Sequence, residues 1–146
     1  MGRLPNMVRN FHVVAGMNTI LLVDDSRVSR EVLKVFLIGR HSRVLEAADG
    51  VQALRMMHEH HPDLVIADLE MPKLDGLGLC EAIRSDARLH TTPVLILSGT
   101  STPETARLCL AAGALEVLAK PIQPQPLLAA VGRHLPAGLA EQGLRL

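Results

Sequence analysis

Five short apolar runs recur along this chain of 146 residues, and a helical pattern follows each one. Runs of this length are typical of buried strands. Strands that alternate with helices pair in parallel through right-handed crossovers, and helices then cover both faces of the sheet. The sequence therefore predicts an α/β fold, a doubly wound five-stranded parallel sheet with five helices. The predicted strands are 19–23, 43–47, 64–67, 93–98 and 115–119.

The helical patterns carry their own start and stop signals. Ser26 and Thr102 are suited to cap helix N-termini, while Pro62 and Gly113 mark the ends of two helices. The first helix is expected over roughly 26–39. Its apolar residues at helical spacing are Val28, Val32, Val35, Phe36 and Gly39. The other helical patterns are 49–62, 71–86 (which opens as a Pro/Gly loop), 102–113 and 124–135.

Composition limits the classes of partner. Lys plus Arg equals Asp plus Glu at 15 each, so the basic surface expected of a nucleic-acid binder is absent. No apolar run approaches the roughly 20 residues that span a bilayer, and the N-terminus does not resemble a signal peptide. We therefore expect a cytoplasmic protein without nucleic-acid or membrane partners, whose Cys80 and Cys109 are reduced, buried thiols.

The chain length suits one domain. Residues 1–17 match no periodic element and are predicted to be a flexible N-terminal extension, unless the true start is Met17. Residues 18–135 carry the alternating pattern and form the predicted domain. Residues 136–146 are predicted to be a C-terminal tail, too short for an output domain.

Polar side chains gather where the predicted strands end. Asp24 and Asp25 follow the first strand, Asp68 follows the third, Ser98 ends the fourth, and Lys120 follows the fifth. The carboxyl ends of parallel strands meet at one edge of the sheet, where doubly wound folds bind their ligands. Three carboxylates, a hydroxyl and an ammonium at that edge indicate a functional site.

Adjacent carboxylates repel each other unless a cation lies between them. Mg²⁺ prefers oxygen ligands and retains several waters, so one or two carboxylates suit it. Asp25 and Asp68 are the predicted direct ligands, Asp24 acts through a water, and the backbone carbonyl of Glu70 supplies another oxygen. Mg²⁺ is thus the expected cofactor.

An ionised carboxylate beside Mg²⁺ is suited to accept a phosphoryl group, which makes Asp68 the candidate nucleophile. Lys120 can neutralise one phosphoryl oxygen, and the Ser98 hydroxyl can donate a hydrogen bond to another.

Four segments of the chain resemble the receiver domains of response regulators in two-component signalling: "ILLVDDS", "DLVIADLEMPKLDG", "PVLILSG" and "GALEVLAKP". The resemblance implies a flavodoxin-like fold over residues 18–135. It implies that Asp68 is the phospho-acceptor, that Ser98 is the switch hydroxyl, and that the Lys120–Pro121 bond is cis. It also implies a chemotaxis-type single-domain regulator, phosphorylated by a sensor histidine kinase or a histidine phosphotransfer protein. Output then comes through contact with an unknown downstream protein, on the surface of the fourth helix, fifth strand and fifth helix.

Two positions depart from the family pattern. Val117 stands where the family commonly has Tyr or Phe, and Ile122 stands where an aromatic residue is frequent. In the usual account that first aromatic side chain turns inward on phosphorylation, which valine cannot do by ring rotation. An alternative function is therefore a phosphorylation-independent adaptor with the same fold.

A second alternative is a Mg²⁺-dependent phosphohydrolase of the haloacid-dehalogenase type, acting through an aspartyl phosphate. That class has its nucleophile after the first strand and a second Asp two residues later. Ser26 occupies the second position here, which argues against it. The histidine-rich segment 58–62 is interpreted as a solvated helix end and not as a metal site.

Overall fold

The computed structural model describes residues 17–40, 42–100 and 102–135. Strands and helices alternate along these residues. The strands are β1 (Asn18–Val23), β2 (Ser42–Ala47), β3 (Leu64–Asp68), β4 (Val94–Ser98) and β5 (Glu116–Ala119). The helices are α1 (Arg27–Phe36), α2 (Gly50–His60), α3 (Gly76–Ser85), α4 (Pro103–Ala111) and α5 (Pro124–His134). The predicted extension 1–17 and tail 136–146 lie outside the described residues, apart from Met17.

The five strands form one parallel sheet in the order β2-β1-β3-β4-β5, which confirms the predicted doubly wound fold. The order reverses between β1 and β3, the position at which such folds bind ligands. Val23 pairs with Ala67 in the register of these two strands. Asp24 and Asp68 are the next residues on each strand, so the register itself brings them side by side.

The core has two layers, one on each face of the sheet. Helices α2, α3 and α4 cover one face, with buried side chains such as Met57, Leu79 and Cys109. Helices α1 and α5 cover the other, through Leu33, Leu37, Leu127, Ala130 and Val131. Central strand residues on both faces are fully buried, so the strand ends are held in place by a close-packed core.

The spacing of apolar residues predicted α1 correctly but not its buried face. Val28 and Val35 are 73% and 62% exposed, and Val32 is also exposed. Leu33 and Leu37, one helical turn apart, are buried against the sheet, and Phe36, which the spacing had identified, packs half-buried beside them. The valines instead form an exposed apolar stripe.

Local signals set the ends of the helices. The hydroxyls of Ser26 and Thr102 accept hydrogen bonds from the backbone N–H groups of Ser29 and Thr105, as N-caps do. The C-cap of α4 is Ala112, and the predicted Gly113 follows it with a φ of +113°, which favours glycine. The Lys120–Pro121 bond is cis, as the resemblance implied.

Two further expectations can be compared with the described residues. Cys80 and Cys109 are free and buried, as predicted. Within the described segments, no helix is both long and apolar enough to cross a membrane.

Candidate functional site

Three carboxylates meet at the carboxyl edge of the sheet. One oxygen from each of Asp24, Asp25 and Asp68 lies within 4.8 Å of the other two. Asp24 and Asp68 are buried, whereas Asp25 is exposed. Among the described residues this is the one group of His, Cys, Asp and Glu close enough to hold a metal ion.

Within this cluster, Asp24 is the carboxylate whose ionised form is most clearly disfavoured by its surroundings. Burial raises its pKa, the backbone N–H of Ser26 opposes that shift, and the negative charge of Asp68 adds to it. Its Oδ1 accepts the hydrogen bond from Ser26 at 2.8 Å, while its buried Oδ2 has no hydrogen-bond partner within the described residues. An uncompensated carboxylate oxygen therefore faces the acidic cluster.

Lys120 provides the positive charge of the site. Its Nζ lies 2.7 Å from Oδ1 of Asp68. This contact is an ion pair with a buried oxygen for which no hydrogen bond is found among the described residues. The backbone N–H of Lys120 donates to the carbonyl of Ser98 at 2.9 Å, so pairing between β4 and β5 fixes where the lysine leaves the sheet.

Ser98 is fully buried at the end of β4. Its Oγ accepts a hydrogen bond from the backbone N–H of Thr100 at 3.1 Å and lies 3.4 Å from the Thr100 hydroxyl. The backbone contact uses a lone pair of Oγ, so the hydroxyl hydrogen can be donated to the Thr100 hydroxyl or to another acceptor. Thr100 is a partner that the sequence analysis did not identify, since a turn of this kind is visible only once the loop is folded.

Glu70 lies at the mouth of the site, and its side chain is exposed. A β-carbon at Gly99 would lie 3.9 Å from its Oε1, so the loops after β3 and β4 approach each other at this point. Glu70 and Thr100 also line a cavity of about 420 Å³ between α3 and α4.

Two residues that position the acidic loops were missed by the sequence analysis. Gly76 begins α3 in close contact with the backbone of Asp68, and Arg30 of α1 donates through Nη1 to the carbonyl of Asp24. The pair "DG" at 75–76 was the available signal for the first, because a glycine at a helix start often marks close backbone approach. No pattern in the sequence indicates the second.

The residues present fit a hard divalent cation. Every donor in the cluster is a carboxylate oxygen, which is the ligand type that Mg²⁺ prefers. Among the described residues, Asp24 Oδ2 and Asp68 Oδ1 are buried without hydrogen bonds. A buried anionic oxygen is stable only when a positive charge lies close to it. Lys120 supplies one such charge to Asp68, and a cation among the three carboxylates would supply the rest.

A second, mostly apolar cavity of about 270 Å³ opens beside the acidic cluster. It lies between α1 and the loop after β5, and Asp24 and Lys120 form its polar end. Val28, Val32 and Ile122 are among its apolar lining residues. Part of the exposed valine stripe of α1 therefore reaches the edge of the site.

Comparison with known proteins decides the family. The profile described as "Response regulator receiver domain" matches residues 20–132. The chain belongs to the response regulator receiver family. This receiver domain is 34% identical to Vibrio cholerae chemotaxis protein CheY4, whose structure superposes with a TM-score of 0.76 over 82% of this chain and 99% of that one.

Two other relatives carry specific information. The receiver domain of a sensor histidine kinase from Pseudomonas aeruginosa PAO1 is 31% identical, with a TM-score of 0.73 over 80% of this chain and 96% of that one. That structure has a magnesium ion coordinated in its active-site cleft. The probable transcriptional regulator ycf27 of Guillardia theta is 36% identical over 77% of this chain, which spans 43% of that regulator's length.

Membership in the receiver family confirms the two-component class inferred from the four sequence segments. Receiver domains are typically phosphoryl acceptors and not enzymes in the ordinary sense, so the phosphohydrolase alternative loses its support. Val117, the departure from the family pattern, is half-buried and packs against the core on the face of α2, α3 and α4.

Proposed function

We propose that this receiver domain is a Mg²⁺-dependent phospho-acceptor switch in which Asp68 takes the phosphoryl group. The observation that supports this most directly is the setting of Asp68. It is a nearly buried carboxylate that contacts the Lys120 ammonium and adjoins two further carboxylates. The domain is a self-modifying acceptor, working in the cytoplasm, and its turnover is limited to loss of its own phosphoryl group.

The donor is the phosphohistidine of a sensor histidine kinase or of a phosphotransfer protein. A carboxylate oxygen of Asp68 forms a bond to phosphorus as the bond between phosphorus and the imidazole nitrogen breaks. The imidazole nitrogen keeps that electron pair and takes a proton from solvent. Little further covalent chemistry is needed, so positioning and charge stabilisation provide most of the catalysis.

Asp25, Asp68 and the backbone carbonyl of Glu70 are the proposed Mg²⁺ ligands, and Asp24 acts through a water. When bound, Mg²⁺ neutralises charge on the carboxylates and on the phosphoryl oxygens. Lys120 moves from its ion pair with Asp68 to a phosphoryl oxygen, since the new acyl phosphate linkage has lost the carboxylate charge. Ser98 donates its hydroxyl hydrogen to another phosphoryl oxygen.

The apolar cavity beside α1 is the proposed docking surface for the phosphodonor. Val28 and Val32 are exposed at its edge, and Lys120 lies at its polar end. An apolar surface that leads directly into a charged site is suited to a partner that must place one histidine side chain there. The exposed valines of α1 then have a function that core packing does not give them.

The domain is proposed to signal by binding a downstream protein through the surface of α4, β5 and α5. Leu110 of α4 is 50% exposed, and Leu115, just before β5, is 46% exposed. Glu116 forms an ion pair with Arg133 at 2.7 Å, so these two charges compensate one another within the surface, and its other carboxylate oxygen lies 2.6 Å from Nε2 of His134. Exposed leucines beside internally paired charges suit a regulator that signals by protein contact.

The experiment is phosphorylation with acetyl phosphate and Mg²⁺, followed by intact mass measurement. The wild-type chain should gain one phosphoryl group, and Asp68→Asn should gain none. Asp86→Asn is the matched control. It makes the same substitution at the C-cap of α3, whereas Asp68 lies next to the start of that helix. Wild-type labelling of Asp68→Asn would refute the assignment of the acceptor.

An adaptor that works without phosphorylation is the second candidate, and Val117 is the observation that favours it. Calorimetric titration with Mg²⁺ distinguishes the two. The switch requires Mg²⁺ binding that weakens in Asp25→Ala and with acidification, because the ligands must be ionised. Absence of any Mg²⁺ binding by the wild-type chain would favour the adaptor.

A further inference from the structure

Arg30 connects three elements next to the acidic cluster. Its Nε donates to Oε1 of Glu46 on β2 at 2.9 Å, and its Nη1 donates to the backbone carbonyl of Asp24 at the end of β1. Arg30 itself belongs to α1, and its side chain is 15% exposed. One planar guanidinium thus joins a helix, a neighbouring strand and the acidic loop.

The carbonyl that Arg30 contacts belongs to the peptide between Asp24 and Asp25. A peptide unit is planar, so holding its oxygen also fixes the N–H and the Cα of the next residue. The N–H of Asp24 is held separately, since it donates to the carbonyl of Ala47 at 3.1 Å. With both groups held, the backbone from which the two adjacent carboxylates project is fixed relative to Asp68.

Glu46 fixes the guanidinium in turn. Its second oxygen, Oε2, pairs with Nζ of Lys34 at 2.9 Å. Hydrogen bonds from Lys34 and from Arg30 lower the pKa of Glu46, so it stays ionised at neutral pH. Lys34 therefore shares the Glu46 carboxylate with Arg30, but the structure gives Lys34 no contact with Asp24.

We propose that Arg30 is a positioning residue for the metal site, holding the Asp24–Asp25 peptide so that Mg²⁺ affinity depends on it. The inference rests on the proposed Mg²⁺ site. Simple electrostatics predicts the opposite effect, because a cation near a divalent cation weakens binding of that ion. The sign of the change on removing Arg30 therefore separates positioning from charge.

The test is calorimetric titration of Mg²⁺ into wild type, Arg30→Met and Lys34→Met, each checked for folding by far-UV circular dichroism. Methionine keeps much of the aliphatic stem and removes the charge. Losing a group that orients a metal ligand typically costs at least about tenfold in affinity, so Arg30→Met should bind Mg²⁺ roughly tenfold more weakly. Lys34→Met removes a charge from the same Glu46 cluster and should bind Mg²⁺ as tightly as wild type, or slightly more tightly.

A second measurement reports on the peptide without any metal. The amide signal of Asp25 should shift in Arg30→Met and stay in place in Lys34→Met. Wild-type or tighter Mg²⁺ binding by a folded Arg30→Met would overturn the proposal. If Arg30→Met does not fold, Arg30→Lys is the deciding variant, because lysine keeps the positive charge but lacks the planar guanidinium. Weaker Mg²⁺ binding by Arg30→Lys would support positioning. Wild-type Mg²⁺ binding by Arg30→Lys would overturn it. Failure of the wild-type chain to bind Mg²⁺ would instead refute the proposed function.

Discussion

A β-carbon at Gly76 would lie 2.6 Å from the carbonyl oxygen of Asp68 and 2.8 Å from the Cα of Leu69. Glycine therefore lets the start of α3 pack directly against the end of β3. The N–H of Gly76 also donates to the carbonyl of Leu69 at 2.8 Å. The proposed phospho-acceptor is thus held by backbone packing that tolerates no side chain at residue 76.

Gly76→Ala should destabilise the fold and disturb the site together. The atoms that a methyl group would meet are backbone atoms, which cannot move aside cheaply, and overpacking of this kind costs about 1–3 kcal/mol. The free energy of unfolding can be measured by denaturant titration followed by circular dichroism, since the chain has no Trp or Tyr. Phosphorylation by acetyl phosphate should also slow, because the backbone of Asp68 shifts.

Gly132→Ala is the matched control for this prediction. Gly132 lies inside α5, and a β-carbon there would meet nothing within 4 Å. Alanine should stabilise the helix by about 0.5–1 kcal/mol, because glycine loses more backbone entropy on folding. Equal loss of stability in both variants would show that contact with Asp68 is not the cause.

Asp24→Asn should raise the free energy of unfolding at neutral pH in the presence of a metal chelator. Burial raises the pKa of Asp24 above its ordinary value of 3.8, so its charged form is disfavoured in the folded state. Wild-type stability then falls as pH rises from 3.8 through the folded pKa, and asparagine avoids that loss. The gain should disappear below pH 3.8, where the carboxyl group is protonated in both states.

Asp49→Asn should lower the free energy of unfolding at neutral pH, which is the opposite of the change expected for Asp24→Asn, and it serves as the control. The backbone N–H of Gln52 lowers the pKa of Asp49, as does the charge of Lys73, so its ionised form favours folding. That contribution is present above pH 3.8 and is lost as pH falls through the folded pKa. Stabilisation by Asp49→Asn at neutral pH would show that simple loss of negative charge explains both variants.

The sequence indicated the residues of the site because strand ends are visible in it. Asp24, Asp68 and Lys120 each follow a short apolar run, and parallel pairing brings such ends to one edge. The buried face of α1 was not predictable from spacing alone. Valines and leucines both recur at helical intervals there, and only packing against the sheet selected Leu33 and Leu37.

Contacts made by the backbone were the other part that the sequence did not indicate. Arg30 binds a carbonyl of Asp24, Gly76 packs on a carbonyl of Asp68, and Thr100 donates its N–H to Ser98. Each depends on the path of a loop, and residue identity does not determine that path. A periodicity argument identifies which elements exist, whereas these contacts depend on how the elements are joined.

The two thiols should be unreactive in the folded protein. Burial raises the pKa of Cys80 to about 12 and also raises the pKa of Cys109. The thiolate is the reactive form, so alkylation by iodoacetamide at mildly alkaline pH should be slow. Mass measurement should find both cysteines labelled only after addition of denaturant. Rapid labelling of Cys80 in native protein would contradict its burial between α3 and the sheet.

The last prediction concerns how phosphorylation reaches the output surface when residue 117 has no ring. Val117 packs half-buried against the core, and its short side chain has no second arrangement comparable to a ring rotation. Ser98, by contrast, is tied to the loop after β4 through the N–H of Thr100. Movement of the Ser98 hydroxyl toward a phosphoryl oxygen would disturb this hydrogen bond, so we expect the loop to move with it.

Beryllofluoride, a phosphoryl analogue, should shift the amide signals of residues 98–100 and 102–105 strongly and those around Val117 weakly. Ser98→Ala should abolish most of the loop shift while Asp68 still accepts phosphate, because Ser98 stabilises the product and is not the nucleophile. Thr105→Ala is the control, since its hydroxyl contacts Thr102 at 2.9 Å and not Ser98, so the loop shift should persist. Large shifts around Val117 that survive Ser98→Ala would show that the core beneath β5 transmits the signal without the hydroxyl.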